Sequence, residues 1–304
     1  MKRCSDESQG ADEAWGRSTS TFTTMEDNIM KKRVTAIALI AILVIGIFAL
    51  AGCGSKESGG GDAAPAEEGG TFVVGLDDTF APMGFRDESG EIVGFDIDMA
   101  TAVAEKLGMT PEFKPIDWDA KEMELNSGNI SCIWNGLSIT PERMENMALS
   151  NKYLNNQIVV MALKDSDVDV KSTEDLANLK VGTQVDTSAV TLMEADPNYE
   201  LFKDNISEYD TYDLAIMDLK AGRLDVIVVD QVLGEYTNNN LGGEMKECSF
   251  AFGDDYYVIG FKKDNTELRD KVNEALKALI DDGTAAEISE KWFGKNIVVF
   301  EPIE

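Results

Sequence analysis

The sequence CIWNGLSITPER, at residues 132–143, decides how the rest of the chain is interpreted. Its apolar start predicts a strand, and its small polar residues, among them Gly136, predict a strand end that a ligand can approach closely. Thr140 and Pro141 predict a helix start, because threonine caps helices and proline suits the first helical position. Arg143 then lies in the first turn, where its guanidinium and the helix N–H groups can act together on a carboxylate. Taken alone, the stretch fits a surface strand–turn–helix with a solvated arginine equally well.

The composition excludes several classes of function. The 304 residues are 43% hydrophobic, which is enough for a packed core in one large or two medium domains. With 27 Lys and Arg against 56 Asp and Glu, the net charge of −29 argues against nucleic acid as a partner. The chain has no histidine, which excludes the common Ser/His and Cys/His nucleophile pairs and most zinc sites. Its 4 cysteines show no CxxC spacing. We therefore expect neither a metal nor another cofactor.

Residues 30–53 have the pattern of a lipoprotein signal peptide. Basic residues follow Met30, and residues 34–51 form an almost unbroken apolar run of about the length that crosses a bilayer. The run ends in LAGC, which resembles the bacterial lipobox, in which the cysteine, here Cys53, becomes the lipidated N-terminus. A simple transmembrane anchor is the alternative interpretation.

The segments on either side of this signal are expected to lie outside the folded body. Residues 1–29 are polar and irregular, so we interpret them as a mis-assigned extension, with translation starting at Met30 or Met25. Residues 54–70, GSKESGGGDAAPAEEGG, have nothing to bury and predict a flexible linker.

From residue 71 onward, strand and helix patterns alternate. Strands are expected at residues 71–76, 109–115, 132–134, 157–163, 180–184, 206–209, 225–229 and 256–261. Helices are expected at residues 96–107, with Asp96 as the cap, and at 120–126, from 141, after 172, at 192–195, 213–220, 266–282 and 284–293. This order predicts an α/β fold with mainly parallel sheets flanked by helices, and with ligand loops at the carboxyl ends of the strands.

Those strand ends collect polar and aromatic side chains. The first half of the body contributes Asp77, Phe80, Trp118, Asn135, Gly136, Ser138 and Arg143, and the second half contributes Gln184, Thr187, Ser188 and Asp230. The set fits a zwitterion: Arg143 suits a carboxylate, Asp230 with the Ser138 hydroxyl suits an ammonium, and two aromatic rings could sandwich a side chain. As isolated residues, the aromatics could equally belong to the core and the aspartates could be caps or solvated charges.

Six runs of the chain carry a resemblance to a known family: FAPMGFRDESGEIVGFDIDMATAVAEKLG, IDWDA, NGLSITPERMENMALSNKY, LKVGTQVDTSA, AGRLDVIVVD and ELRDKVNEALKALIDDGTAAEISEKWFG. In this order they resemble the family 3 solute-binding proteins of polar amino-acid ABC importers, across nearly all of residues 71–294. The best-known members bind glutamine, lysine/arginine/ornithine or histidine. The resemblance implies a two-lobe periplasmic-binding-protein-like fold of type II, with two hinge strands. Lobe 1 would comprise residues 71–157 and 258–304, and lobe 2 residues 158–257.

The resemblance also implies roles for individual residues. Arg143 would clamp the ligand carboxylate, Asp230 would pair with the ammonium, and Asp77 would meet the ligand side chain. The backbone and hydroxyl contacts would come from Asn135, Gly136 and Ser138, and the aromatic walls from Phe80 and Trp118. Many members have a Gly-Thr pair where this chain has Asp186-Thr187, so Asp186 adds a carboxylate that either points to solvent or helps to select the ligand.

The predicted function is that of an extracytoplasmic binding lipoprotein, not an enzyme. It would capture a free polar amino acid and deliver it to the permease subunits of an ABC importer with their ATPase. We expect a monomer, held by its lipid anchor at the extracytoplasmic face of the bacterial cell membrane. Asp77 favours glutamine, arginine or lysine as the ligand, while histidine and cystine stay open.

Two alternative functions also stay open. One is an enzyme on the same scaffold, dehydratase-like or lyase-like, whose acid/base chemistry would fall to carboxylates such as Asp77 or Asp186. The other is a ligand-sensing module.

Overall fold

The computed structural model describes residues 69–303. The expected extension at residues 1–29, the signal peptide at 30–53 with Cys53, and nearly all of the linker at 54–70 lie outside the described residues.

Short strands and helices alternate along the described chain. The strands are β1 (Thr71–Leu76), β2 (Thr79–Phe80), β3 (Gly84–Arg86), β4 (Ile92–Val93), β5 (Thr110–Pro115), β6 (Cys132–Ser138), β7 (Met147–Leu149), β8 (Lys152–Leu163), β9 (Val181–Gln184), β10 (Ile206–Tyr209), β11 (Val226–Asp230), β12 (Met245–Lys262) and β13 (Val298–Glu301). The α-helices are α1 (Phe95–Lys106), α2 (Lys121–Asn126), α3 (Pro141–Asn146), α4 (Ser188–Ala195), α5 (Tyr199–Phe202), α6 (Tyr212–Lys220), α7 (Gln231–Asn240), α8 (Thr266–Asp281) and α9 (Thr284–Phe293). Turns of 3₁₀ helix cover Trp118–Ala120, Thr173–Asn178 and Lys203–Asn205.

One sheet runs through the molecule, and its middle differs from its two ends. Within residues 69–303 it has 10 strands, in the order β10-β9-β11-β8-β12-β6-β1-β5, with β13 on β8 and β7 on β12. At one end β6, β1 and β5 are parallel, and at the other β11, β9 and β10 are parallel. The long central strands β8 and β12 are antiparallel to each other and to their outer neighbours. The predicted α/β class is confirmed, as a mixed sheet with two parallel wings.

Apolar side chains from both faces of this sheet form the core. Helix α8 shows how the sequence pattern produces it: Leu268, Val272, Ala275, Leu276 and Leu279 recur at helical spacing, and all five are buried. The side chain of Asn265 caps this helix by accepting a hydrogen bond from the Leu268 N–H. Helices α8 and α9 pack against α1, so the end of the described chain returns to its beginning.

No helix among residues 69–303 combines the length and the apolar character that crossing a membrane requires.

Two local predictions are wrong, for reasons of tertiary structure. The predicted cap Asp96 lies inside α1, which begins after Gly94, and its carboxylate accepts a hydrogen bond of 2.8 Å from the Gly136 N–H. The strand predicted to end at residue 134 continues to Ser138, because β12 pairs with Leu137 and Ser138 and buries all seven residues of β6. Pairing with a distant strand therefore outweighs the local preference of an Asn-Gly pair for a turn.

Candidate functional site

The predicted site residues meet where strands of both wings end. Ser138 ends β6, Gln184 ends β9 and Asp230 ends β11, while Asp77 follows β1 directly. All eleven predicted residues are buried: Asp77, Phe80, Trp118, Asn135, Gly136, Ser138, Arg143, Gln184, Thr187, Ser188 and Asp230. Eight of these positions carry polar or charged side chains, which are unusual in a core and therefore need partners.

Arg143 is held by the helix start that the sequence predicts. Thr140 Oγ1 accepts a hydrogen bond of 3.2 Å from the Arg143 N–H, and Pro141 occupies the first helical position. The side chain is only 4% exposed. Its guanidinium donates to the backbone oxygens of Ser138, at 3.0 Å, and Asp186, at 2.8 Å. Within residues 69–303, no carboxylate oxygen lies within 4.0 Å of it.

This arrangement leaves a buried charge without a countercharge in direct contact. Burial lowers the pKa of Arg143, while the nearby carboxylates of Asp186 and Asp255 oppose that shift. A guanidinium has five N–H donors, and two backbone oxygens do not use them all. An anion that entered here would restore the electrostatic balance of the pocket.

Two carboxylates, Asp230 and Asp255, share one amide. Asn156 Nδ2 donates to Asp230 Oδ1 at 2.7 Å and to Asp255 Oδ2 at 2.9 Å. The Tyr257 hydroxyl donates to Asp230 Oδ1 at 2.8 Å, and the Ser138 hydroxyl donates to Asp255 Oδ2 at 2.7 Å. Burial, with the charge of Asp255 added, raises the pKa of Asp230 to about 7, and burial also raises the pKa of Asp255. Burial and mutual repulsion thus disfavour the ionised forms of this pair, and a cation bound beside it would favour them.

Asp77 and Gln184 connect the two wings. Asp77 Oδ2 accepts a hydrogen bond of 2.7 Å from Gln184 Nε2, and Asp77 Oδ1 accepts from the Thr79 N–H and hydroxyl at 2.9 and 2.7 Å. Asn135 Oδ1 accepts from the Asp77 N–H at 3.1 Å. Thr187 supports this group, because its hydroxyl donates to the Gln184 carbonyl at 2.9 Å.

The aromatic residues pack around a glycine. Gly136 has a φ of 56°, and a Cβ there would lie 2.8 Å from Phe80 Cε1 and 3.1 Å from Tyr257 Cζ. Phe80 also packs on Tyr212, with ring centroids 6.1 Å apart. The ring of Trp118 has a different neighbour, the Lys121 ammonium, which lies 4.9 Å from the ring centroid. Its buried Nε1 has no hydrogen-bond partner within residues 69–303.

Ser188 and Asp186 form further contacts between the wings. Ser188 Oγ donates to Ser138 Oγ at 3.0 Å. The Asp186 side chain, which is 48% exposed, forms an ion pair with the fully buried Lys121. The sequence analysis left solvent and ligand selection as the alternatives for Asp186 and did not anticipate this partner.

One cavity lies at the predicted site, and a larger one lies away from it. One of about 270 Å³ is lined from both wings, by residues that include Asp77, Trp118, Val185 and Asp210. A larger one, of about 510 Å³, lies between α7 and the segment after α9 and contains none of the predicted site residues.

Sequence reasoning missed Asn156, Asp255, Tyr257 and Lys121. The first three lie on β8 and β12, where polar residues interrupt apolar strands. A buried polar residue inside such a strand was the available signal. Lys121 carried no comparable signal, because a lysine in the first turn of a short helix normally points to solvent.

Known proteins share both this sequence and this fold. Residues 72–295 match the family described as bacterial extracellular solute-binding proteins, family 3. The L-cystine-binding protein TcyJ of Escherichia coli (strain K12) is 31% identical over 276 residues, which cover 87% of this chain and 94% of that protein. An ABC uptake transporter substrate-binding protein from Streptococcus pneumoniae, solved with bound histidine, has a TM-score of 0.70 and 38% identity, covering 75% of this chain and 94% of that one. The arginine-, lysine-, histidine-binding protein ArtJ from Geobacillus stearothermophilus has a TM-score of 0.67 and 34% identity, in a match that covers 74% of this chain and 96% of that one.

Proposed function

Because the chain belongs to the bacterial extracellular solute-binding proteins, family 3, we propose that it captures a free polar amino acid and delivers it to an ABC importer. The permease subunits, with their ATPase, would receive the ligand. The relatives reported above all carry the names of binding proteins, and none carries the name of an enzyme.

The observation that carries this proposal is the burial of Arg143 without a carboxylate in contact. Arg143 is 4% exposed, and its guanidinium is held by the backbone oxygens of Ser138, in the proposed lobe 1, and of Asp186, in the proposed lobe 2. A bidentate carboxylate is the natural partner of such a group. The α-carboxylate of an amino acid would satisfy it.

The other end of the site suits the ammonium and the side chain of the same molecule. Asp230 and Asp255 offer negative charge, and the Ser138 hydroxyl lies against Asp255 at 2.7 Å. Phe80 and Trp118 would flank the ligand side chain, and Asp77 with Gln184 would contact its polar end. The ligands in the names of the relatives, together with Asp77, make arginine, lysine, histidine, glutamine and cystine the candidates.

Ligand capture would occur by closure of two lobes. The proposed lobe 1 comprises residues 71–157 and 258–304, and lobe 2 comprises residues 158–257, with β8 and β12 as the hinge strands. Contacts such as Ser138 to Ser188 and Asp77 to Gln184 join these lobes directly. A ligand held by groups from both lobes would favour the closed arrangement, since it gains contacts there that an open one lacks.

We further propose that the protein is a monomeric lipoprotein on the extracytoplasmic face of the cell membrane. The support is the basic and apolar run at residues 30–53 and its lipobox-like ending at Cys53. Mass spectrometry of the mature protein should find an acylated N-terminus at Cys53, and Cys53→Ser should release the protein from the membrane fraction. An unmodified N-terminus upstream of Cys53 would contradict the anchor, and peptides from residues 1–24 would contradict a start at Met25 or Met30.

A thermal-shift screen against the common amino acids and cystine tests the binding function. A ligand present at about 1,000 times its dissociation constant should stabilise the protein by ~4 kcal/mol. Stabilisation by one or a few polar amino acids is the expected result. The absence of any shift across the whole panel would contradict the proposed function.

A further inference from the structure

Lys121 is a buried cation beside the site that the roles proposed above do not use. Its side chain is fully buried, and its ammonium donates to the Trp118 carbonyl at 3.1 Å and to the Asp186 carbonyl at 3.3 Å. It also lies 4.9 Å from the centroid of the Trp118 ring. Burial and the neighbouring charge of Arg143 lower the pKa of Lys121 to about 8. The positive charges of Lys121 and Arg143 therefore repel each other, and both lie in one region of the site.

Asp186 is the residue on which both cations converge. Its backbone oxygen accepts from Arg143 and from Lys121, and its carboxylate pairs with the Lys121 ammonium. Its φ of 54° makes it the one residue other than glycine with a positive φ among those the structure describes. Asp and Asn are the side chains that tolerate this region best, so the conformation suits the residue that occupies it.

Asp186 provides the carboxylate in direct contact with Lys121, so the local charge around the two cations changes when this carboxylate is removed. When Asp186 is ionised, its negative charge balances the positive charge of Lys121, and Arg143 remains as the cation without a carboxylate in contact. Without the Asp186 carboxylate, two buried cations would lie at the site with no carboxylate in contact, and a second anionic group on the ligand would become favourable. Lys121 lies 4.9 Å from the centroid of the Trp118 ring, which is proposed to flank the ligand side chain, so that second charge would act close to this side chain.

We propose that the Lys121–Asp186 ion pair determines specificity, because Asp186 cancels the charge of Lys121 and so excludes ligands with an additional negative charge. This inference rests on the proposed amino-acid binding. The departure at residues 186–187 from the Gly-Thr pair of many family members would then be the means by which this chain selects its ligand.

The test compares ligands of similar shape that differ in charge. The probes are L-glutamate with L-glutamine, L-arginine with L-citrulline, and L-cystine with its monoamide, each titrated calorimetrically into the wild-type protein and its variants. Asp186→Asn keeps a side chain that accepts a positive φ, and Lys121→Met keeps the apolar stem in its buried position. Lys114→Met is the matched control, because it removes a lysine from an ion pair with Glu124 that lies within the proposed lobe 1.

The two single variants should change charge preference in opposite directions. For the pairs that bind, Asp186→Asn should shift the affinity ratio by at least about tenfold toward the more negative member, and Lys121→Met should shift it toward the more positive member. The double variant should return to within about threefold of the wild-type ratio, and Lys114→Met should not change it.

An equal loss for both members of every pair would overturn the inference, because an ion pair that only joins two structural elements does not distinguish ligand charge. If the wild-type protein binds no amino acid at all, the proposed function fails and the inference fails with it. Binding by the wild-type protein with unchanged ratios in both variants would overturn the inference alone.

Discussion

Asp77 accepts a hydrogen bond of 2.7 Å from Gln184, a residue 107 positions further along the chain. Each stands at the carboxyl end of a parallel-paired strand, β1 in one wing of the sheet and β9 in the other. The two strand ends therefore face each other across the proposed ligand site. In open α/β sheets, ligands bind beside such strand ends. The contact also indicates which groups a ligand side chain would meet.

Asp77→Ala should destabilise the protein by about 1–3 kcal/mol, because the Gln184 amide and the Thr79 donors would lose a buried acceptor. Asp87→Ala is the matched control: Asp87 accepts similar hydrogen bonds from Ser89 and Glu91 in an exposed turn, and its removal should cost less. Urea unfolding of the two variants measures the difference. Equal losses would show that the contact across the wings contributes nothing beyond the local turn.

Gly136→Ala should both destabilise the fold and weaken ligand binding. The φ of 56° disfavours alanine by about 1–2 kcal/mol, and the added methyl would overlap Phe80 at 2.8 Å. Gly128→Ala separates these effects, since Gly128 has a φ of 75° but open space around its Cβ position. Chemical denaturation should show a larger loss at residue 136, and only that variant should lose affinity in calorimetry. If Gly136→Ala and Gly128→Ala lost the same stability, backbone strain alone would explain the loss, and the predicted overlap with Phe80 would be contradicted.

The ionisation of Asp230 should make both the stability of the fold and the affinity for the ligand depend on pH. Burial and Asp255 raise the pKa of Asp230 from 3.8 to about 7, so between these two pH values the folded protein holds a proton that the unfolded chain releases. This group therefore favours folding at low pH, and its contribution is lost as the pH rises through about 7.

Ligand binding should show the opposite trend. An ammonium ligand needs the ionised form of Asp230, so affinity should weaken as the pH falls from 8 to 5, approaching tenfold per unit below about 7 if one proton is released. Calorimetry in buffers of different ionisation enthalpy measures both the affinity and the proton release. Asp230→Asn should bind more weakly and lose most of this dependence. Affinity that improves toward pH 5 would contradict the role of Asp230.

Elements with local signals could be predicted from the sequence. Helix α9 matches its predicted bounds, Thr284–Phe293, because glycines with positive φ stand at both ends, Gly283 and Gly294. The start of α3 was equally predictable, since its cap and its proline are adjacent in sequence. Strand-end positions then brought most of the candidate site together, because parallel strands end at a common edge.

Features that depend on distant partners could not be predicted in this way. Strand β12 extends over 18 residues, where the sequence indicated only 256–261, because its first part pairs with β8 across two register shifts. Aspartate commonly caps helices, but the carboxylate of Asp96 instead accepts a hydrogen bond from the backbone N–H of Gly136, 40 positions away. Lys121 is buried and pairs with Asp186, 65 positions away, a partner that no pattern near residue 121 indicates.

Calorimetric titration of the wild-type protein and Arg143→Met, with the ligand found in the thermal-shift screen and with its carboxamide, tests the central claim most directly. Arg143→Met should cost about 2–5 kcal/mol in binding of the free acid, because a buried carboxylate would lose its charge partner. The wild-type protein should prefer the acid to the amide, and the variant should lose that preference. Arg223→Met, which removes an exposed arginine paired with Asp218, should bind like the wild type. Unchanged affinity in Arg143→Met, or an undiminished preference for the acid, would contradict the account.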